Sequence, residues 1–331
     1  MARDSHGRPE CGSKQPTAAG GMAAVRLVTV DAERAGQRLD NFLLGQLKGA
    51  PRTLVYRIIR SGEVRINGGR AKPDSRLDAG DRVRIPPVRL AGDSSPAIPR
   101  PEAADFLVDA IVFEDDQLLV LNKPSGLASH GGSGIRHGAI ELLRALRPSQ
   151  SLELVHRLDR DTSGLLLIAK KRAALTSLQA LMRESDGIEK RYLTLLVGRL
   201  PGGSMEVDLP LRKATLQGGE RMVRVDDQGK ASYTRFALLE RRGGHTFCEA
   251  TIATGRTHQI RVHAAHIGLP VAGDDKYGDR EANRKLRERA GLKRLFLHAA
   301  RLEFSLDGGR RPYLLSAPLP TDLAEVLDRL V

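Results

Sequence analysis

Between Pro86 and Ala104 the chain carries five prolines, at 86, 87, 96, 99 and 101, together with Gly92, Ser94 and Ser95. Proline fixes φ and has no amide proton, so neither a helix interior nor a central strand runs through such a segment. It reads as a semi-extended linker. At 331 residues the chain is long enough for a core on each side of it. The expected layout is a disordered tail (1–24), a small domain (25–88), a Pro-rich linker (89–104) and one large domain (105–331). The tail mixes charge, Gly, Pro and Ser without an apolar h-region, so it does not read as a signal peptide, and Met22 is an alternative start. No apolar run approaches the roughly 18 residues a membrane helix needs. Cys11 lies in the tail and Cys248 in an expected strand, which speaks against a structural disulfide and fits a reducing cytoplasm.

The chain holds 53 Lys and Arg against 40 Asp and Glu, a net charge of +13. Such a field gathers polyanions, although charge alone leaves open a merely basic soluble protein. Residues 25–88 contain 13 basic and 7 acidic residues, a net of +6 in a short stretch. There a helix is expected to start at Arg38 after Gly36, and a second with Thr53 as its cap. On the second, Leu54, Val55, Ile58 and Ile59 make an apolar stripe that leaves Tyr56, Arg57 and Arg60 on another face. Glu63 to Asn67 alternates like a half-buried strand before an Asn67-Gly68 turn, and 77–85 gives a further turn and strand. Short helices and strands with Arg57 and Arg60 on the free face suit an RNA clamp.

Beyond the linker, strand-like runs recur at 118–121, 165–169, 192–197 and 250–253, with a helical stretch from Ala173 to Met182 and no fixed-period repeat. The expected class is α+β, with a mixed, mostly antiparallel central sheet flanked by helices.

The sharpest local feature is His156-Arg157-Leu158-Asp159-Arg160-Asp161-Thr162-Ser163-Gly164. A carboxylate between fixed guanidinium groups stays ionised at neutral pH, which suits a nucleophile or a base. Asp161, in Asp-Thr-Ser-Gly, is expected to cap an Asx turn by accepting backbone N–H groups. Spacing alone leaves open that both aspartates are turn formers. Farther on, Thr257 is expected to cap a helix from His258 to about Ile267 that Gly268 ends. Ile260, Ala264 and Ile267 then face the core, and His258 and Arg261 share another face. A guanidinium there can hold a carboxylate in a bidentate fork.

The segment 155–164 resembles the signature of the ribosomal and transfer RNA pseudouridine synthases. Leu121-Asn122-Lys123-Pro124-Ser125-Gly126 looks like the family's first motif, Lys190-Arg191-Tyr192 its tyrosine motif, and Gly255 to His263 its arginine motif. Gly273-Asp274 to Tyr277-Gly278 and Leu297-His298-Ala299 follow in the expected order. The N-terminal module is similar to an S4-type RNA-binding domain. The resemblance implies that Asp159 is the essential aspartate, attacking the ribose anomeric carbon or abstracting a ribose proton. It implies that Tyr192 stacks on the uracil and is proposed to help remove the carbon-five proton. Arg261 pairs with the aspartate, and Arg157 fills the gap left by the extruded uridine. It implies no metal and no cofactor, since the isomerisation is redox-neutral.

The wording of 122–134 is nearer to the C-type large-subunit rRNA subgroup than to the D-type. The implied partner is therefore 23S ribosomal RNA or pre-50S particles, with the protein a monomer. A D-type or transfer-RNA-directed relative stays open, as does a non-catalytic assembly factor, against which the complete set of Asp159, Tyr192 and Arg261 argues. His258, His263 and His266 are not spaced for a shared helical face, so a zinc site is not expected. His130 to Gly134 lacks both a nucleophile elbow and a P-loop lysine, and reads as a flexible loop on the site's rim.

Overall fold

The computed structural model describes residues 25–47, 50, 52–88, 101–132, 135, 137–184, 187–215, 221–306 and 308–330. The expected tail and residues 89–100 of the expected linker lie outside them. The chain divides into two compact units within that linker.

In the first unit β1 (Arg26–Thr29) leads through a 3-10 turn to α1 (Leu39–Gln46) and α2 (Arg52–Arg60), then β2 (Arg65–Ile66), β3 (Gly69–Arg70) and β4 (Arg82–Ile85). The sheet order is β1-β4-β2-β3. The stripe on α2 behaves as its spacing demands: Val55, Ile58 and Ile59 are buried against Leu39, Phe42 and Leu43 of α1. Helix α2 already includes Arg52, so Thr53 lies inside it and is not its cap. The expected strand at 63–67 is only two residues long. Asn67 (φ 50°) and Gly68 (φ 82°) turn the chain at once, in the positive-φ pair that a tight hairpin requires. Likewise 77–81 forms a turn laid across Val30, leaving four residues for β4.

The second unit starts earlier than the expected 105. Residues Pro101–Leu107 form a 3-10 helix in which Ala104 and Leu107 are fully buried beside α3 (Ala139–Leu146). The apolar side chains at 104 and 107 drive this docking, and the neighbouring prolines masked it in the sequence.

A ten-stranded sheet follows. Its first strands are β5 (Ile111–Glu114), β6 (Leu118–Lys123), β7 (Glu153–Leu154) and β8 (Ser163–Ala169), after which comes α4 (Arg172–Leu181). It continues with β9 (Ile188–Leu196) and β10 (Ser204–Asp208), then a separate hairpin of β11 (Leu211–Thr215) and β12 (Arg221–Val225). Next are β13 (Tyr233–Arg242), β14 (His245–Ile252), α5 (Gln259–His266), α6 (Arg280–Ala290), β15 (Leu297–Leu306), β16 (Arg311–Ser316) and α7 (Thr321–Arg329). The strand order is β10-β13-β14-β9-β15-β8-β6-β5, with β16 on β15 and β7 on β8. Strands β8 and β15 run parallel, whereas the other described pairings of this sheet are antiparallel.

Every residue of β8 is buried, because both faces of the sheet are covered there. Leu166 and Ile168 pack with α3 and α5, while Leu165, Leu167 and Ala169 pack with α4 and β16. This explains the continuous apolar run in the sequence, in contrast to the alternation along half-covered strands. The loop that feeds β8 is thereby anchored in the centre of the sheet.

Candidate active site

The loop 156–162 enters β8 through Gly164, whose φ is 110° and whose missing Cβ would collide with the Ala299 carbonyl of β15. Its other side rests on residues 123–129, just after β6. The Ser129 hydroxyl donates to the Leu158 carbonyl and accepts its amide, both at 2.9 Å. Ser125 Oγ donates to the Asp161 carbonyl at 2.7 Å, and the Gly126 amide to that of Arg160 at 2.9 Å. Lys123 is fully buried, and its Nζ donates to the carbonyls of Pro124, Leu127 and Arg160 at 2.9, 2.7 and 3.1 Å. Burial pushes its pKa down to about 7, against the pull of Asp161 and Asp159. Burial also pushes His156 down to about 4, and its neutral Nε2 accepts the Leu167 amide at 3.0 Å.

With its backbone pinned in this way, the loop presents Asp159, about one-fifth exposed, toward α5. Arg261 on α5 is itself 7% exposed. It grips Asp274 in a bidentate fork, Nε to Oδ2 and Nη2 to Oδ1, each 2.7 Å. Its remaining nitrogen, Nη1, stands 3.4 Å from Asp159 Oδ2. The Tyr277 ring lies 5.2 Å from the guanidinium carbon, in cation–π range. Burial alone would lower the Arg261 pKa, but the bonds to Asp274 and the charge of Asp159 raise it. Asp274, 1% exposed, is held below the usual carboxylate range: burial pushes it up, and Arg261 outweighs burial. The fork therefore spends two of the three guanidinium nitrogens on a structural carboxylate and aims the third at Asp159.

This geometry revises three expectations. The charge partner of Asp159 comes from α5, on which the resemblance had placed it, and not from the flanking arginines that the loop's own pattern suggested. Arg160 turns instead to Asp161, Nε to Oδ1 at 3.0 Å, and Arg157 is exposed. Asp161 accordingly spends its carboxylate on Arg160, and the turn is closed by the Thr162 amide on the Asp159 carbonyl. Nor does Thr257 cap α5. The N-cap is His258, in the left-handed region at φ 55° and ψ 21°, and its ring stands with Arg261 at the Asp159 carboxylate. The core stripe does hold, with Ile260 and Ala264 buried and Ile267 packed against them.

His258 Nδ1 lies 2.8 Å from the Tyr277 hydroxyl, and Nε2 lies 3.8 Å from Asp159 Oδ2. The same hydroxyl accepts the Val223 amide of β12 at 3.0 Å. Of the other two histidines, His263 is buried on Thr234, Ser232 and Leu209, and His266 is exposed.

Tyr192 on β9 faces Ala250 of β14 and Ala299 of β15 across the sheet and is 9% exposed. Burial, then the charge of Asp159, pushes its phenol above the ordinary tyrosine range. With Ile252 and Leu297 it lines a narrow recess whose walls include Asp159, His258 and Arg261. A wider cleft of about 590 Å³ opens beside the recess, bordered by Ser129, His130, Arg157, Asp159, His258 and Arg261. That size falls among ligand-binding clefts. Three residues from distant segments, Asp159, Tyr192 and Arg261, thus meet at one depression with Arg157 on its lip, and His130 to Gly132 border it as a rim. Arg57 and Arg60 belong to the N-terminal unit, exposed on α2 and bordering a shallow depression with Thr53, Tyr56 and Ser61.

Residues 117–266 match the RNA pseudouridylate synthase family, and residues 37–83 match the S4 domain. The chain is 53% identical over 310 residues to the ribosomal large subunit pseudouridine synthase C of Escherichia coli K12, covering 93% of this chain and 97% of that protein. The chain belongs to the RNA pseudouridine synthase family. The synthase C of Pasteurella multocida is 49% identical over 309 residues, 93% of this enzyme and 94% of that one. Among solved structures, human RNA pseudouridylate synthase domain containing 4 superposes with a TM-score of 0.58 at 25% identity, over 70% of this chain and 96% of that one. Human RNA pseudouridylate synthase domain containing 1 gives 0.53 at 28% identity, over 63% and 82%.

Sequence reasoning assigned no part in the site to Lys123, Asp274, Tyr277 or His258. All four lie within or beside motifs whose order was legible, so the signal was there. Their roles depend on which backbone groups and side chains the fold brings to them, and spacing does not encode that.

Proposed function

We propose that this pseudouridine synthase isomerises specific uridines of 23S ribosomal RNA, with Asp159 as the reacting carboxylate. The observation that carries the assignment of Asp159 is the Asp274–Arg261–Asp159 arrangement beside Tyr192. A buried, permanently charged guanidinium is locked by a second carboxylate, so it can keep Asp159 aimed without rotating away. The substrate class is supported by relatives that are named for the large ribosomal subunit and align along almost the whole chain.

In this reading a uridine leaves its stack and enters the cleft. Extrusion costs on the order of a few kcal/mol. Arg157, exposed on the lip, offsets part of that by stacking in the vacated place. The uracil lies against Tyr192. Asp159 then attacks C1′ or removes a ribose proton, and either route breaks the bond between N1 and C1′. The freed uracil turns and C5 bonds to C1′, displacing the Asp159 ester on the first route or with Asp159 returning the ribose proton on the second; the C5 proton then leaves and N1 takes one up. Atoms and oxidation level are unchanged, so the chemistry asks for no cofactor or metal. Arg57 and Arg60 serve as RNA contacts of the S4 unit, whose region carries a net charge of +6. The enzyme is read as a cytoplasmic monomer that meets 23S RNA or pre-50S particles. No helix among its described residues is long and apolar enough to cross a membrane.

Tritium release from 23S RNA labelled at uridine C5 tests the assignment. Wild type is expected to release tritium and Asp159→Asn to release none above background. Equal release by both removes Asp159 from the chemistry, and a wild type inactive on naked RNA and on assembly intermediates removes the substrate.

A further inference from the structure

His258 has no part in the reaction as drawn, yet several independent features converge on it. It is one of two non-glycine residues with positive φ among the described residues, the other being the turn residue Asn67. Such a conformation persists only where the surroundings enforce it, and it tends to mark functional positions. Here it turns the imidazole into the cleft, edge-on to Tyr277 with ring centroids 5.4 Å apart.

The hydrogen bonds around the ring favour one site for its proton. The Tyr277 oxygen already accepts the Val223 amide, so its own proton is free to donate to His258 Nδ1. Nδ1 is then the acceptor and Nε2 carries the proton. The opposite tautomer would point the Nε2 lone pair at a carboxylate 3.8 Å away, which is repulsive. Burial holds the imidazole below its ordinary range, opposed by Asp159 and Asp274 and reinforced by Arg261 and Lys276, which favours the neutral ring.

We propose that His258 is a positioning residue whose Nε2–H is a second anchor for Asp159 Oδ2, beside Arg261, leaving Oδ1 to meet the ribose. This rests on the reading of Asp159 as the reacting carboxylate. Both closest approaches, 3.4 Å from Arg261 and 3.8 Å from His258, are to the same oxygen. The longer one is too long for a hydrogen bond and shortens when substrate closes the cleft, as sites without substrate are commonly loose. The anchor begins at the β11–β12 hairpin, because Val223 fixes the Tyr277 hydroxyl that fixes the imidazole.

The test compares His258→Leu, His258→Gln, Tyr277→Phe and the double variant His258→Leu/Tyr277→Phe by kcat and KM for tritium release, with ¹⁵N-resolved imidazole NMR of the wild type. His258→Leu is expected to lower kcat about tenfold or more, with KM moving less than about threefold. His258→Gln, which keeps a neutral donor, restores most of that loss. Tyr277→Phe keeps the ring over Arg261, lowers kcat severalfold, and adds no further loss to His258→Leu. The NMR spectrum at pH 7.5, with His258 assigned by its disappearance in His258→Gln, shows the Nε2–H tautomer. An Nδ1–H tautomer or an imidazolium there overturns the proposal even if a variant fails to fold. So does additivity of the two substitutions, or an unchanged kcat in His258→Leu while Asp159→Asn is inactive. Activity retained in Asp159→Asn overturns instead the function on which the inference rests.

Discussion

Replacing Asp274 by Asn isolates what holds Arg261 in place. Asp274 Oδ2 accepts Arg261 Nε at 2.7 Å, while Oδ1 accepts Arg261 Nη2 at 2.7 Å and the Lys276 and Tyr277 amides at 2.8 and 3.0 Å. An Asn can keep its oxygen toward the three donors at Oδ1, but its NH₂ then faces the Arg261 Nε–H, donor against donor. Breaking a buried ion pair by removing one partner costs about 3–5 kcal/mol. Since Asn retains some of the bonds, the expected loss is about 2–4 kcal/mol at neutral pH. The pH dependence has a definite sign. The folded-state pKa of Asp274 is depressed, because its bonds to Arg261 outweigh burial. Its contribution is therefore fully present above the unfolded value of about 4 and is lost as pH falls through the folded value. Urea unfolding of both proteins at pH 7.5, 5.5 and 3.5 measures this. The difference should be equal at the two higher values and smaller at pH 3.5. A difference below about 0.5 kcal/mol at pH 7.5, the size of an ordinary surface effect, refutes the fork as a structural clamp. A difference that widens on acidification refutes the electrostatic reasoning.

Because burial, and then Asp159, raises the Tyr192 pKa, the phenol stays protonated through pH 10. The pH–rate profile should show no tyrosine limb up to that point, and a limb near 10 that vanishes in Tyr192→Phe contradicts this. Lys123→Met strips the donor from three carbonyls at the base of the loop. It should cost about 2–4 kcal/mol in urea unfolding and lower kcat, and an unchanged midpoint speaks against the lysine as the loop's clamp. Gly164→Ala forces a Cβ into the Ala299 backbone at positive φ, where two paired strands leave no room to shift. It should cost about 3 kcal/mol or more, or abolish soluble expression, and a melting temperature equal to wild type contradicts the packing at that crossing.

Much of the scaffold was legible because local pattern and burial agree. The unbroken apolar run of β8 announces a strand covered on both faces, and the stripe on α5 announces which side of that helix meets the core. What escaped was decided by tertiary partners. The short β2 and β4 yield to turns whose backbone groups bond elsewhere. The 3-10 helix at 101–107 is made by docking of Ala104 and Leu107 and not by propensity. In the site, the resemblance picked Asp159, Tyr192 and Arg261, and the fold brings them to one recess. The sequence neighbourhood misled at two points. Arg160 is taken by Asp161, and His258 adopts a left-handed conformation that periodicity does not foresee. Asp274 is close to Arg261 in sequence, but a turn after α5, not helical spacing, puts its carboxylate on the guanidinium.

The conversion of uridine to pseudouridine in 23S RNA by Asp159, held by Arg261, is tested by mapping pseudouridines across 23S RNA from a strain lacking this enzyme, complemented with wild type or with Asp159→Asn. Specific pseudouridines should be lost in the deletion, return with wild type and stay absent with Asp159→Asn. A 23S map unchanged by the deletion, or one restored by Asp159→Asn, contradicts it.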